Sequence, residues 1–194
     1  NNVGELNRMF EQVADMQTDP TKLGIVLPTI QGGAPVGIEA EPSRDFLSHM
    51  ELLADRANGL DRKKPWEDNI LMIMGEAAKA ATHMWLVDEE TEDDPGNKIQ
   101  LCADEIYRYW QEFSDVEVPG LPGRHTLTQV VFCDIGTPKR AFNIYDYLRA
   151  ALEQRGMPSN VIAYVHDAKT DEARGRLFQQ MNEGKIHVLI GSTA

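Results

Sequence analysis

Leu127-Thr128-Gln129-Val130-Val131-Phe132-Cys133-Asp134-Ile135-Gly136-Thr137-Pro138 decides how this chain is read. The first seven residues are a short apolar run rich in β-branched and aromatic side chains, which predicts a strand. Asp134 to Pro138 is a turn cluster with Pro at an expected first helical position. A helical pattern follows, with Phe142, Tyr145, Leu148, Ala151 and Leu152 three or four residues apart. Gly156 and Pro158 close it. Val161-Ile162-Ala163-Tyr164-Val165 is a second apolar run. Thr170 can cap a second helix carrying Ala173, Leu177, Phe178 and Met181, with Gly184 as its stop. Ile186 to Ile190 reads as a third strand, and Gly191-Ser192-Thr193-Ala194 begins its exit loop.

The order is β-α-β-α-β. Near-continuous apolar strands joined by amphipathic helices imply an α/β fold with a parallel sheet covered on both faces. Ligands of such sheets sit at the carboxyl ends of the strands. Those ends carry Asp134 to Lys139, His166 to Lys169 and Gly191 to Ala194.

Upstream the text is mostly helical. Helices are predicted near 4–17, 43–57, 69–86 and 97–113, the second with Ser43 as its cap. On the third, Ile70, Ile73, Met74, Ala77, Ala81 and Met84 form the expected apolar face. Residues 18–37 read as a connector, and Val36 to Ala40 as a possible short strand. Pro119-Gly120-Leu121-Pro122-Gly123 has turn chemistry and marks the expected boundary between residues 1–124 and 125–194. Asp88 to Asp94 is an acidic loop expected to be solvated, and its spacing matches no calcium loop.

The 194 residues carry a net charge of -12. Residues 1–124 hold 11 basic and 24 acidic side chains, whereas residues 125–194 hold 8 and 7. The acidic front half opposes nucleic-acid binding by that half as a long-range field, and phosphate contacts in the near-neutral back half would have to be local. No apolar run approaches the roughly 20 residues of a membrane span, so no membrane partner is expected. Cys102 and Cys133 stand in apolar settings, which fits buried thiols in a reducing, cytoplasmic compartment. The chain opens at Asn1 without Met and stops just after a strand, so both ends are expected to be internal to a longer protein.

No Gly-x-x-x-x-Gly-Lys-Ser/Thr loop, Gly-x-Gly-x-x-Gly turn or Gly-x-Ser-x-Gly elbow occurs. No complete catalytic set or metal site is therefore expected. His49 and His125 read as surface or linker positions, His83 as a packed or surface histidine rather than a ligand, and His187 as structural. His166-Asp167 lies at a strand end, where a turn-stabilising Asp is the simpler reading. Asp134-Ile135-Gly136-Thr137-Pro138-Lys139 offers backbone N–H groups, a hydroxyl and a cation at an expected helix start, suited to a phosphate. The alternative is a plain strand-to-helix turn capped by Thr137. Ser192-Thr193 has the same two readings.

The run Gln129 to Lys139 resembles motif IV of Swi/Snf-type superfamily II helicases, at the opening of their second RecA-like lobe. Val161 to Val165, Arg174, Leu177-Phe178 and Met181 to Gly184 follow in a similar order, and Ile186 to Ala194 looks like the start of motif V. Leu6 to Phe10, Ala14 to Thr18, Glu41-Pro42-Ser43, Asp68 to Met72 and Ala77 to Val87 resemble the interlobe segment of very large helicases of phages, plasmids and conjugative elements, many of them fused to an adenine methylase. The resemblance implies an ATP- and Mg-dependent DNA translocase of which this chain is the interlobe region plus a truncated second lobe. It implies that Asp134, Gly136, Thr137, Lys139, Ser192 and Thr193 face DNA backbone or the interlobe cleft. The first lobe, with its P-loop, and motif VI are not in this sequence, so the chain is expected to be inactive alone, to bind no cofactor by itself, and to need that lobe as a partner. Self-association through the open sheet edge is a further expectation. The rival reading is an acidic helical interaction module on an α/β scaffold without catalysis.

Overall fold

The computed structural model describes residues 3–10, 13, 24, 29–30, 32–61, 63–64, 66–114, 116–117, 127–139 and 142–193. The helices are α1 (Val3–Phe10), α2 (Arg44–Asn58), α3 (Ile70–Thr82), α4 (Lys98–Glu112), α5 (Ile144–Gln154) and α6 (Asp171–Asn182). The strands are β1 (Gln129–Phe132), β2 (Ile162–Tyr164) and β3 (Val188–Gly191). Contacts gather the chain into two compact units, Asn1–Ile38 and Glu39–Ala194. Of the first, α1 is a short amphipathic helix with Leu6 and Met9 exposed. Residues 18–23, 25–28 and 31 of the expected connector and the Pro119–Gly123 turn residues lie outside the described residues, as does the rest of the helix expected to reach residue 17, apart from Val13.

The second unit is mixed α/β with a three-stranded parallel sheet. Its order is β1-β3-β2. Val130 pairs with Leu189 and Phe132 with Gly191, while Ala163 faces Leu189 from the other side. The last strand in sequence is thus the central one. This differs from the dinucleotide-binding order 3-2-1-4-5-6 and the flavodoxin order 2-1-3-4-5, both of which place the first strand inside the sheet. The chain moves two positions from β1 to β2 and one position back to β3. Under the right-handed rule, crossovers in opposite directions along a sheet place their helices on opposite faces.

The two faces are unequally covered. On one, Tyr145, Leu148, Ala151 and Leu152 of α5 are buried against Ile162, Tyr164, Val188 and Ile190. Ile99, Ala103 and Ile106 of α4 close the same core from outside. α4 is fastened to the sheet end by Trp110 Nε1, which donates to His187 Nδ1 (2.8 Å), and by Gln129 Nε2, which donates to the Ile106 carbonyl (2.9 Å). On the other face coverage is partial, with Leu189 of β3 buried but β1 open. α6 has no buried side chain. Val130 and Phe132, which alternate with the core-facing Val131, are 48% and 68% exposed. The expectation of a sheet covered on both faces is therefore corrected at β1, whose outward side chains are left bare.

Local signals account for the helix starts. Ser43, Asn69, Asn97, Asn143 and Thr170 each accept a backbone N–H from the first turn they precede, a device worth about 1 kcal/mol apiece. α2 and α3 pair through Leu53, Ile73 and Ala80. Arg56 bridges them by bonding Asp68 (3.1 Å) and Glu76 (2.8 Å). The apolar face expected on α3 is only partly right: Ile73 is buried, but Ile70 and Met74 are 50% and 61% exposed. α3 packs on α2 and buries a narrow stripe, Ile73 and Ala80, with Ala77 half-buried between them. Residues 35–43 are irregular and pair with no strand, so the strand expected at Val36 to Ala40 does not form.

Candidate functional site

The carboxyl ends of β1 and β3 lie side by side, and their exit loops are tied together. Cys133 N–H extends the ladder by donating to the Gly191 carbonyl (2.8 Å). One residue on, the Asp134 carboxylate accepts both the backbone N–H and the hydroxyl of Thr193, each at 2.7 Å. These two bonds hold the Asp134 carboxyl below its ordinary range. A loop that the sequence places 59 residues away is thereby fixed against the first. Asp134, Ser192 and Thr193 are brought to one sheet edge.

Behind Asp134 the chain turns sharply. Gly136 has φ +70°, and its carbonyl accepts from Ile144 N–H (2.9 Å). A Cβ at Gly136 would lie 2.5 Å from Ile144 Cγ1 and 3.1 Å from Leu86 Cδ2. Only glycine meets both the handedness and the space. The Tyr145 hydroxyl donates to the Cys133 carbonyl (2.7 Å), pinning the first turn of α5 to the end of β1. Burial pushes that phenol up to about 12 and raises the Cys133 thiol as well. Lys139 N–H closes a tight turn on the Thr137 carbonyl (2.7 Å), and the Lys139 side chain is exposed.

One expectation about this loop is corrected. Thr137 does not cap a helix, and neither Pro138 nor Lys139 starts one. α5 begins at Ile144 behind the buried Asn143, whose Oδ1 accepts Asp146 N–H (2.9 Å) while its Nδ2 donates to Asp146 Oδ2 (2.7 Å). This reciprocal cap outcompetes a lone threonine. It also places the chain's own carboxylate, Asp146, at the positive end of the helix, where an incoming phosphate would otherwise sit. An anion at this edge would meet the loops and Lys139 rather than the helix terminus.

His166, at the end of β2, is exposed and stands edge-on to the Tyr145 ring at 5.2 Å. It lies in a short 3-10 turn, Val165–Asp167.

A second cluster was not anticipated from the sequence. His83 is 4% exposed and sits among the rings of Trp85, Phe142 and Tyr147 at 5.2, 5.2 and 4.6 Å. Its Nδ1 accepts Trp85 N–H (3.2 Å), and its Nε2 faces Asp93 Oδ1 (3.3 Å). The Tyr147 hydroxyl lies 2.7 Å from Asp93 Oδ2, and Asn97 Nδ2 donates to that hydroxyl (3.0 Å). Trp85 Nε1 donates to the Thr91 carbonyl (2.8 Å). Asp88, Glu89, Glu90 and Glu92 of the acidic loop are exposed as expected, but its Thr91–Asp94 end is anchored. Four aromatic or imidazole rings spread from residue 83 to 147 carry no local periodicity, which is why pattern reading missed them. The cluster borders a cleft lined by Ser43, Phe46, Met84, Asp94, Asn97 and Lys98.

Among the described residues, no group of three His, Cys, Asp or Glu side chains is placed to hold a metal ion. No described helix is long and apolar enough to cross a membrane. Comparison with protein-family models, with curated proteins and with solved structures returns no match.

Proposed function

We propose that this chain is part of an ATP-dependent DNA translocase of the Swi/Snf-like superfamily II type, with residues 125–194 belonging to its second RecA-like lobe. On this reading the loops at Asp134–Lys139 and Gly191–Thr193 contact DNA backbone or the cleft between lobes. Asp134, Gly136, Thr137, Lys139, Ser192 and Thr193 carry that contact. ATP and Mg are bound by the parent through its other lobe, and the isolated chain turns over no ATP. The observation that supports the reading best is the Asp134–Thr193 tie, which makes one surface of the two loops named by the motif resemblance. The near-neutral charge of residues 125–194 is compatible with local phosphate contacts, as the acidic front half is not.

Hydrogen exchange of the chain with and without duplex DNA tests the assignment. Slowed exchange at Gly136, Lys139 and Thr193, with the α2–α3 pair unchanged, is the expected result. Unchanged exchange throughout the chain on adding DNA would overturn it. That outcome would favour the second reading, an interaction module, for which the exposed Ile70, Leu71, Met72 and Met74 are the specific support.

A further inference from the structure

His83 stands where α3, the acidic loop and α5 meet, and its two ring nitrogens face opposite demands. Nδ1 looks at Trp85 N–H and must present a lone pair. Nε2 looks at the Asp93 carboxylate and is best served by a proton. The neutral tautomer protonated at Nε2 answers both. The doubly protonated ring answers only Asp93, because its Nδ1–H would point at another N–H. The ring is enclosed by Trp85, Phe142 and Tyr147, so little water reaches it to compensate.

The ring also supports a mechanical link. His83 opens the 3-10 turn Met84–Leu86, and its carbonyl accepts Leu86 N–H (3.1 Å). Leu86 in turn packs beneath Gly136, where its Cδ2 stands 3.1 Å from the position of an added Cβ. We propose that His83 is an acid-sensitive latch: while neutral it holds the Met84–Leu86 turn against the strand-end loop at Gly136, and protonation at Nδ1 releases the turn and loosens that loop.

The charges around the ring act in both directions. Asp93 and Asp94 of the acidic loop favour the charged form. From α5, Tyr147 presents a hydroxyl bonded to Asp93, and from the start of α4 Asn97 presents an uncharged amide. Glu41, Glu92 and Lys98 line the adjoining cleft. Burial is the larger influence and lowers the ring below the ordinary value of 6.5. The latch therefore stays closed through neutral pH and opens as pH falls below that value. The device depends on His83 and its neighbours and not on the DNA reading.

The test is a heteronuclear NMR titration of the whole chain from pH about 8 to about 5, the range in which histidine charge changes. It follows the His83 ring and the backbone amides of Trp85 and Gly136. The expected result is that all three move together, with one midpoint below 6.5. In His83→Asn the Trp85 and Gly136 amides should stay flat, because an Asn oxygen accepts the Trp85 N–H and cannot be protonated. In Asp93→Asn the midpoint should fall further, since the nearest carboxylate is gone. A Trp85 or Gly136 amide that ignores His83 titration, or that shifts equally in His83→Asn, overturns the latch. So does an Asp93→Asn midpoint that is unchanged or higher, a readout that holds even if His83→Asn fails to fold.

Discussion

Gly136 joins the ends of β1 and α5 through a left-handed turn that no side chain fits. Gly136→Ala should destabilise the chain by more than about 1 kcal/mol, from backbone strain plus the clash with Ile144. Urea unfolding checks this, and a neutral substitution would refute the geometry. Tyr145→Phe should lower stability by about 1 kcal/mol in the same assay, since the half-buried Cys133 carbonyl loses this hydroxyl donor. Asp134 makes a pH prediction. Its folded carboxyl lies below the ordinary 3.8, so the tie to Thr193 is intact above that value and is lost as pH falls through the lower folded one. Amide exchange at Thr193 reports the loss. At this scale Thr170 and Gly184 were legible, because a cap and a stop act on their nearest neighbours. His83 was not, because its partners Asp93 and Tyr147 come from two other segments.

The elements of the α/β half follow from spacing. Buried Tyr145, Leu148, Ala151 and Leu152 repeat at three and four, and the three apolar runs became three parallel strands. Leu152→Ala removes a fully buried side chain from this face and should destabilise by about 2–5 kcal/mol in calorimetry or urea unfolding. A change within a few tenths would place Leu152 outside the core. Where spacing misled, another partner was decisive. Thr137-Pro138 reads as a helix start, yet Asn143 and Asp146 satisfy two groups reciprocally and set the start at Ile144. On α3, Met74 fits the periodic face but is 61% exposed, since the described residues pack α3 on α2 through Ile73 and Ala80.

For the whole molecule, periodicity named the strands but not their order. The central place of β3 leaves β1 at an edge with Val130 and Phe132 exposed. An open edge with an apolar face favours association. The chain is expected to self-associate at micromolar concentration, and Phe132→Lys to shift it toward monomer in light scattering. A monodisperse wild-type monomer would contradict this. Nor could periodicity foresee that α4 closes the core over α5, since that contact spans about fifty residues of sequence.

The central claim is that the strand-end loops engage nucleic-acid backbone. The most direct test is the equilibrium affinity of the chain for duplex DNA, measured across a salt series for wild type and Lys139→Ala. Binding at low salt that weakens linearly on a log–log plot is predicted, with the slope reduced by about one unit in the variant. No affinity at low salt, or an unaltered slope in Lys139→Ala, would contradict the claim.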